Sequence, residues 1–130
     1  MKIKLLRTFL PSKDYETSKK FYNDLGFPTM WENHELAIMG TEDFSFFLQK
    51  YYNKEWAENL MMQLYVEDLE DLFKIADKLK DDYEGIKLKP IFTAEYGRTF
   101  HLIGPAGVLW HMTEITKEVE EPNKLICEDQ

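Results

Sequence analysis

The chain has 130 residues and a formal net charge of −8, with 44% hydrophobic and 31% charged residues. At this length, folding buries roughly 68% of the surface of the unfolded chain, enough for one hydrophobic core. The acidic balance, with no basic run, argues against nucleic acid or an anionic membrane as a partner. The N-terminus lacks the apolar stretch of a secretory signal and Cys127 is the single cysteine, so we expect a cytoplasmic protein without a disulfide.

The first half of the chain predicts a strand, a helix and three further strands. Residues 3–10 form the predicted first strand, which Pro11 closes. Asp14 is the predicted N-cap of a helix that ends at Gly26. The three strands that follow are expected around residues 29–31, 35–39 and 44–50.

The second half repeats this order. A strand is predicted at 60–66, and a helix from the cap Asp68 to Gly85. Further strands are predicted at 86–91, 98–103 and 108–113, with a loop at 93–97. The repeat has a period of 54 residues, by which Asp68, Leu69, Ile75, Ala76 and Leu79 follow Asp14, Tyr15, Phe21, Tyr22 and Leu25. The chain is therefore predicted to be a duplicated module, and paired modules can enclose a cup between the sheet faces that carry no helix.

Strand alternation predicts which side chains lie on those open faces. In the first strand, Leu6, Thr8 and Leu10 are expected to face the helix, because the reverse assignment would bury Arg7. Trp110 is expected to face the helix side beside Met112. The side chains then predicted for the open faces are Arg7, Phe9, Phe47, Gln49, Met61, Gln63, Tyr65, Leu109 and His111.

Three segments of the sequence, taken together, resemble the vicinal oxygen chelate superfamily, which includes glyoxalases, extradiol dioxygenases, fosfomycin-inactivating enzymes and bleomycin-resistance proteins. They are residues 13–27 with Phe-Tyr-Asn-Asp-Leu-Gly-Phe, residues 66–69, and residues 104–110 with Gly-Pro-Ala-Gly. The resemblance implies an α+β fold of two βαβββ modules with cup-shaped sheets, and often a dimer. Residues 1–115 are then one domain, with modules at 3–50 and 60–115, a connector at 51–59 and an acidic tail at 116–130.

Enzymes of that superfamily hold a metal ion with residues on the first and last strands of each module. Carried over residue by residue, these positions fall on Arg7, Gln49, Met61 and His111. Arginine has no lone pair to give, and a thioether is a soft ligand unsuited to manganese, magnesium, iron or nickel. We therefore predict no catalytic metal and no cofactor.

The bleomycin-resistance branch is similar in lacking this metal set, and it binds its ligand in a dimer groove without chemical change. The resemblance thus implies a metal-independent protein that binds a small aromatic or anionic molecule in a dimer-associated cup. Arg7 would attract the anionic group, unless it pairs with an acidic side chain such as Glu114. The predicted lining consists of the open-face residues above, with Trp56 and His101 as further candidates.

Several alternatives stay open at this stage. The protein can instead be an enzyme of the same superfamily, of lyase, isomerase or dioxygenase type and either metal-dependent or metal-independent, with His111 as general base and Arg7 holding the substrate. It can also be an interaction protein whose cup is filled by its own aromatic side chains. The aromatic residues of the connector can form a lid, a dimer contact or plain packing, and His101 can be structural. Each cup can be completed within one chain or across a dimer.

Overall fold

The computed structural model describes residues 1–115 and shows a mixed α+β fold with two sheets, as predicted. The predicted acidic tail and Cys127 lie outside the described residues. The first sheet has the strand order β1-β4-β3-β2, and the second has the order β5-β9-β8-β6, with β7 also paired to β8. The elements are β1 (Phe9–Pro11), α1 (Tyr15–Leu25), β2 (Thr29–Glu32), β3 (Leu36–Gly40), β4 (Ser45–Gln49), α2 (Lys54–Asn59), β5 (Met61–Val66), α3 (Leu69–Asp82), β6 (Lys87–Leu88), β7 (Phe92–Ala94), β8 (Gly97–Ile103) and β9 (Leu109–Glu114).

The two long helices begin at the predicted aspartates. The side chain of Asp14 accepts a hydrogen bond from the backbone N–H of Thr17, and Asp68 accepts one from Asp71, at 3.1 and 3.0 Å. Each bond satisfies a backbone donor that the first helical turn leaves free. α1 ends at Gly26, as predicted, whereas α3 ends at Asp82, slightly before the predicted stop at Gly85. None of the helices within residues 1–115 is long and apolar enough to cross a membrane.

In each half of the chain, the first strand lies parallel to the last. β1 pairs with β4, with Phe9 opposite Phe47, and β5 pairs with β9, with Gln63 opposite His111. The other strand pairs in both sheets are antiparallel. Residues far apart in the sequence therefore become neighbours at the β1–β4 and β5–β9 contacts.

The prediction of a long first strand at residues 3–10 was wrong. β1 contains only Phe9–Pro11, and its hydrogen bonding to β4 begins where Phe47 N donates to Thr8 O at 2.9 Å. Leu6 was expected to face the helix but is 88% exposed, whereas Leu10 is buried as expected. Strand-favouring residues form a strand only where a partner strand accepts their hydrogen bonds, and β4 begins only at Ser45.

Two further boundaries differ from the predicted ones. The strand expected at 86–91 is limited to Lys87–Leu88, because Pro90 has no backbone N–H to donate to a neighbouring strand. The loop expected at 93–97 is a tight hairpin in which β7 turns into β8, with Ala94 opposite Gly97. The connector at 51–59 contains the short helix α2, which Asn53 caps.

Trp110 lies at the centre of a core that both sheets share. Its indole packs against the rings of Tyr22 in α1, Phe27 after α1 and Phe46 in β4, at centroid distances of 5.7, 5.4 and 5.7 Å respectively. The indole Nε1 donates a hydrogen bond of 3.3 Å to the hydroxyl of Tyr22. Trp110 and Met112 are buried, which confirms their predicted place on the inner face. The helix-bearing faces of both sheets therefore contact one core, and the open faces lie on the reverse sides.

The contact between Tyr22 and Trp110 makes a testable contribution to stability. Burial raises the pKa of Tyr22 to about 12, partly offset by the hydrogen bond from Trp110. We expect Tyr22→Phe to reduce the free energy of unfolding by about 1 kcal/mol at neutral pH, because the buried indole N–H loses its acceptor. Because burial holds the folded-state pKa of Tyr22 above the ordinary value of 10.0, wild type keeps its full stability below pH 10 and loses stability as the pH rises towards 12, whereas the Tyr22→Phe variant has no group here to ionise.

Urea unfolding followed by tryptophan fluorescence measures the difference between wild type and variant. The difference in free energy of unfolding should become smaller as the pH rises above 10, the ordinary pKa of tyrosine. Tyr96→Phe is the matched control, because Tyr96 is exposed and should lose nothing at neutral pH. Equal stability of Tyr22→Phe and wild type at pH 7 would contradict the role assigned to this hydrogen bond.

Candidate functional site

The open face of the first sheet carries Arg7, Phe9, Ser45, Phe47 and Gln49, and is called the Arg7 face. Arg7 Nε donates a hydrogen bond of 2.9 Å to Ser45 Oγ, and the guanidinium carbon lies 5.2 Å from the ring centroid of Phe47. A guanidinium is attracted to the face of an aromatic ring at this distance. These two contacts fix the position of the cation. Among the described residues, its terminal NH₂ groups have no hydrogen-bond or ion-pair partner.

The alternative that Arg7 pairs with Glu114 was wrong. Glu114 lies 3.4 Å from Arg98 Nη1, and Arg98 also pairs with Glu70. This pairing raises the pKa of Arg98 and lowers that of Glu70, chiefly through their shared hydrogen bond. Glu114, the acid expected to pair with Arg7, is therefore paired with Arg98.

An aromatic pair lies beside Arg7. The rings of Phe9 and Phe47 are stacked, with centroids 4.6 Å apart and planes inclined by 18°. Phe9 is 43% exposed, although a phenylalanine usually lies inside a protein. The Arg7 face thus presents a flat apolar surface next to an anchored positive charge.

The open face of the second sheet carries Met61, Gln63, His101, Leu109 and His111, and is called the His111 face. His111 Nε2 lies 3.4 Å from Met61 Sδ. His101 is directly opposite His111 on the neighbouring strand, and their rings are perpendicular with centroids 4.6 Å apart. Phe92 packs its ring edge-to-face with His101 at 5.3 Å. Two imidazoles and a thioether thus form one cluster.

His101 is partly desolvated within this cluster. Burial lowers the pKa of His101, and the neighbouring charges of His111 and Lys89 lower it further. Its Nε2 atom is buried and has no hydrogen-bond partner among the described residues. The neutral form of the imidazole is therefore favoured, and one ring nitrogen is left without a partner inside the chain.

The remaining predicted site residues have other contacts. Gln63 Nε2 donates to Thr113 Oγ1 at 3.2 Å, and Tyr65 lies opposite Thr113 in the β5–β9 ladder. Leu109 is half-buried opposite Met61. Trp56 of α2 packs against Tyr51, with centroids 6.0 Å apart. The ring contact of Trp56 joins it to the connector, not to either open face.

The strand register changes one assignment made from the family resemblance. Gln63 lies opposite His111, and Phe9, which precedes Gln63 by the 54-residue period, lies opposite Phe47. The counterpart of His111 in the first half is therefore Phe47. Gln49 lies opposite Pro11, so its assignment to the equivalent position was wrong. The sequence shows the repeat of the first strands but contains no information on where the last strand pairs.

The predicted corner residues fall into two groups with separate contacts. Arg7 contacts Ser45 and Phe47, while Met61 contacts His111. Within residues 1–115, no hydrogen bond, ion pair or ring contact joins these two groups. Each group lies on the reverse side of its sheet from the shared core around Trp110. These two groups, one on each open face, are called the half-sites.

Two residues of these half-sites were missed by the sequence analysis. Alternation along the strand places Ser45 on the same face as Phe47. Its contact with Arg7 could therefore have been predicted if β1 and β4 had been assumed to pair in parallel. Phe92 was assigned to no strand, because the β7–β8 hairpin was interpreted as a loop.

The side chains at the family's metal positions do not suit a hard divalent ion. Arg7 is a fixed cation whose Nε already donates to Ser45, and Phe47 has no donor atom. Met61 and His111 supply a thioether and an imidazole, and no carboxylate hydrogen-bonds to either among the described residues. No group of three or more His, Cys, Asp or Glu side chains within residues 1–115 is arranged to hold a metal ion. Manganese and magnesium prefer oxygen ligands, which this set does not supply.

The pKa of His101 can be measured directly. We expect its NMR titration midpoint to lie below the ordinary value of 6.5, and His111→Ala to raise it only in part, because burial is the larger cause. A depressed folded-state pKa means that stabilisation by neutral His101 is complete above pH 6.5 and is lost as the pH falls through the measured midpoint. His34→Ala identifies the signal of the third histidine, and a His101 midpoint at or above 6.5 would contradict this environment.

Comparison with known proteins agrees with this arrangement of sheets. Residues 4–112 match the family model described as the Glyoxalase/Bleomycin resistance protein/Dioxygenase superfamily. No curated protein matches the sequence. A bleomycin-binding protein complexed with bleomycin superposes with a TM-score of 0.71 at 19% identity, covering 86% of this chain and 98% of that chain.

Two further structures share the fold. The bleomycin-binding protein from Streptomyces verticillus, complexed with copper(II)-bleomycin, has a TM-score of 0.69 at 20% identity, covering 88% of this chain and 100% of its own. The fosfomycin resistance protein FosX from Listeria monocytogenes, complexed with Mn(II) and sulfate, has a TM-score of 0.71 at 12% identity, covering 95% and 99%. Because the family model spans most of the chain, the protein belongs to the Glyoxalase/Bleomycin resistance protein/Dioxygenase superfamily.

Proposed function

We propose that the protein binds a small aromatic or anionic molecule, without a divalent metal ion, in a cup formed by the Arg7 face of one chain and the His111 face of a second copy. The observation that carries this proposal is the anchored Arg7 guanidinium beside the exposed Phe9–Phe47 stack. The proposed place of action is the cytoplasm. The domain boundaries expected from the sequence belong to the same proposal.

The chemistry of the Arg7 face favours a ligand that is both planar and negatively charged. The terminal NH₂ groups of Arg7 offer parallel donors, which match the two oxygens of a carboxylate. The Phe9 ring offers an apolar surface on which a second ring can stack. Because Ser45 and Phe47 already hold the guanidinium, a ligand loses little affinity to the ordering of this side chain.

The His111 face would supply the opposite wall of the cup. The two faces lie on the reverse sides of their sheets from one core, so a second chain is needed to bring them together. Met61 is 61% exposed in the single chain, and Ile3, Leu5 and Leu6 near the N-terminus are also exposed. A second copy would cover this surface and complete both cups at once.

Structural relatives support a binding role at the level of the fold. Bleomycin is the ligand in two of the similar structures, and both are called bleomycin-binding proteins. At identities of 19 and 20%, this likeness supports the cup as a ligand site, while the ligand class proposed for this chain rests on its own residues.

The enzyme hypothesis has weaker support in the geometry. A histidine that acts as a general base is usually oriented by a hydrogen-bond partner such as a carboxylate. The side-chain contacts of His111 within the described residues are Met61 and His101, and neither is an acid. We therefore favour binding over turnover.

Isothermal titration with 1-naphthoate and its neutral analogue 1-naphthamide tests the ligand class. We expect naphthoate to bind at least ~10-fold more tightly, because a hydrogen bond to a charged group contributes about 1.5–3 kcal/mol. Arg7→Gln should abolish this preference. Lys2→Gln removes the same charge from an exposed position and should retain it. Equal affinity for both compounds, or a preference that survives Arg7→Gln, would contradict the proposal.

Mixing two variants tests whether the cup is shared between chains. Arg7→Gln and His111→Ala should each weaken naphthoate binding, since each damages both cups of its own homodimer. A heterodimer of the two variants contains one undamaged cup, so remixed chains should recover about a quarter of the wild-type sites if exchange is random. A doubly substituted chain mixed with the Arg7→Gln chain is the control and should recover none. Sedimentation that shows only monomers, or mixtures without recovery, would refute the shared cup.

A further inference from the structure

The cluster on the His111 face has a donor set that the proposed organic ligand does not explain. Met61 Sδ and His111 Nε2 are 3.4 Å apart, and the ring of His101 lies against that of His111. When one tetrahedral ion binds a sulfur and a nitrogen at about 2.0–2.3 Å, the two donors lie roughly 3.5 Å apart. Met61 and His111 therefore already have the spacing of two ligands of the same ion.

The type of donor selects the type of ion. A thioether is a soft donor of the kind that binds Cu(I), and imidazole is a neutral donor that also suits copper. A set without a carboxylate does not neutralise a divalent charge, whereas a monovalent ion needs less compensation. The absence of an acidic ligand in this cluster, as far as residues 1–115 show, thus favours a soft monovalent ion over manganese or magnesium.

The ring of His101 supplies a second, independent observation. Its Nε2 atom is buried and has no hydrogen-bond partner within the described residues. A buried polar atom without a partner is rare in folded proteins and calls for an explanation, such as a bound ion. Phe92 packs against the same ring and shields it from water. This nitrogen, on the ring that lies against His111, is therefore the candidate third ligand.

We propose that Met61, His101 and His111 form a binding site for Cu(I). Met61 and His111 are the two principal ligands, and His101 is the third ligand or holds the ring of His111 in place. The site lies on one sheet of one chain, so it does not need the second copy. It goes beyond the proposed binding of an organic molecule, which depends on the Arg7 face and requires no metal.

Anaerobic titration with Cu(I), in competition with the chromophoric chelator bicinchoninate, tests the site. All proteins carry Cys127→Ser, because a free thiol would itself bind Cu(I). We expect one Cu(I) per chain and at least ~10-fold weaker binding in Met61→Leu, which keeps the volume and removes the sulfur. His111→Ala should lose the site. His101→Phe should bind more weakly than wild type.

Two matched controls separate the site from scattered surface ligands. Met30→Leu removes another exposed methionine, and His34→Ala removes a histidine whose side chain is 85% exposed. Both variants should keep the wild-type affinity. Mn(II), a hard divalent ion, should show no binding by calorimetry under the same conditions.

NMR of methionine methyl groups gives a readout that does not depend on affinity. One methyl signal should shift on addition of Cu(I), and it should be the signal that is missing in Met61→Leu. No Cu(I) binding in the protein that carries Cys127→Ser alone, equal affinity of this protein and its Met61→Leu variant, or a shift of a different methionine would each overturn the proposal. Because no organic ligand is present, these outcomes are independent of whether naphthoate binds.

Discussion

The shared core around Trp110 is the contact on which the functional surfaces depend. Trp110 of β9 packs against Phe46 of β4 and Tyr22 of α1, so the inner faces of both sheets pack into one apolar core. Alternation along a strand then places Phe47 and His111, the next residues along the chain, on the opposite faces. The same packing that stabilises the chain therefore directs its two half-sites to the reverse sides of the sheets, where the proposed second copy would bring them together.

The parallel pairing of first and last strands gives both half-sites the same geometry with different chemistry. Arg7 lies against Phe47 in the first half, and Met61 lies against His111 in the second. The first pair is held by the attraction of a cation to an aromatic ring, and the second joins two soft donors. The two halves thus place contacting side chains at equivalent positions, and the residue types at these positions determine what each half-site can bind.

Local signals in the sequence predicted the local features of the fold. Asp14 and Asp68 were identified as caps because a helix start needs a short polar side chain, and Trp110 was placed inside by alternation. Pairing between strands was harder to predict, because register depends on contacts between distant segments. β1 pairs with β4 only from Phe9 to Pro11. This register leaves Leu6 exposed and places Gln49 opposite Pro11. The sequence shows the residues of each face, but not which faces meet.

The charge on the Arg7 face links the lack of a divalent site to the ligand proposed for the cup. In the proposed dimer, the guanidinium of Arg7 would lie in the same cavity as His111. At any given separation, its repulsion of a divalent cation is twice its repulsion of a monovalent one, since the interaction is proportional to both charges. The same charge attracts an anion. Burial lowers the pKa of His101, which favours its uncharged form and so reduces the positive charge beside a soft monovalent ion. An anionic organic ligand near Arg7 and a Cu(I) ion at Met61 are therefore electrostatically compatible in one cup, whereas a hard divalent ion in the same place is disfavoured twice, by charge and by ligand type.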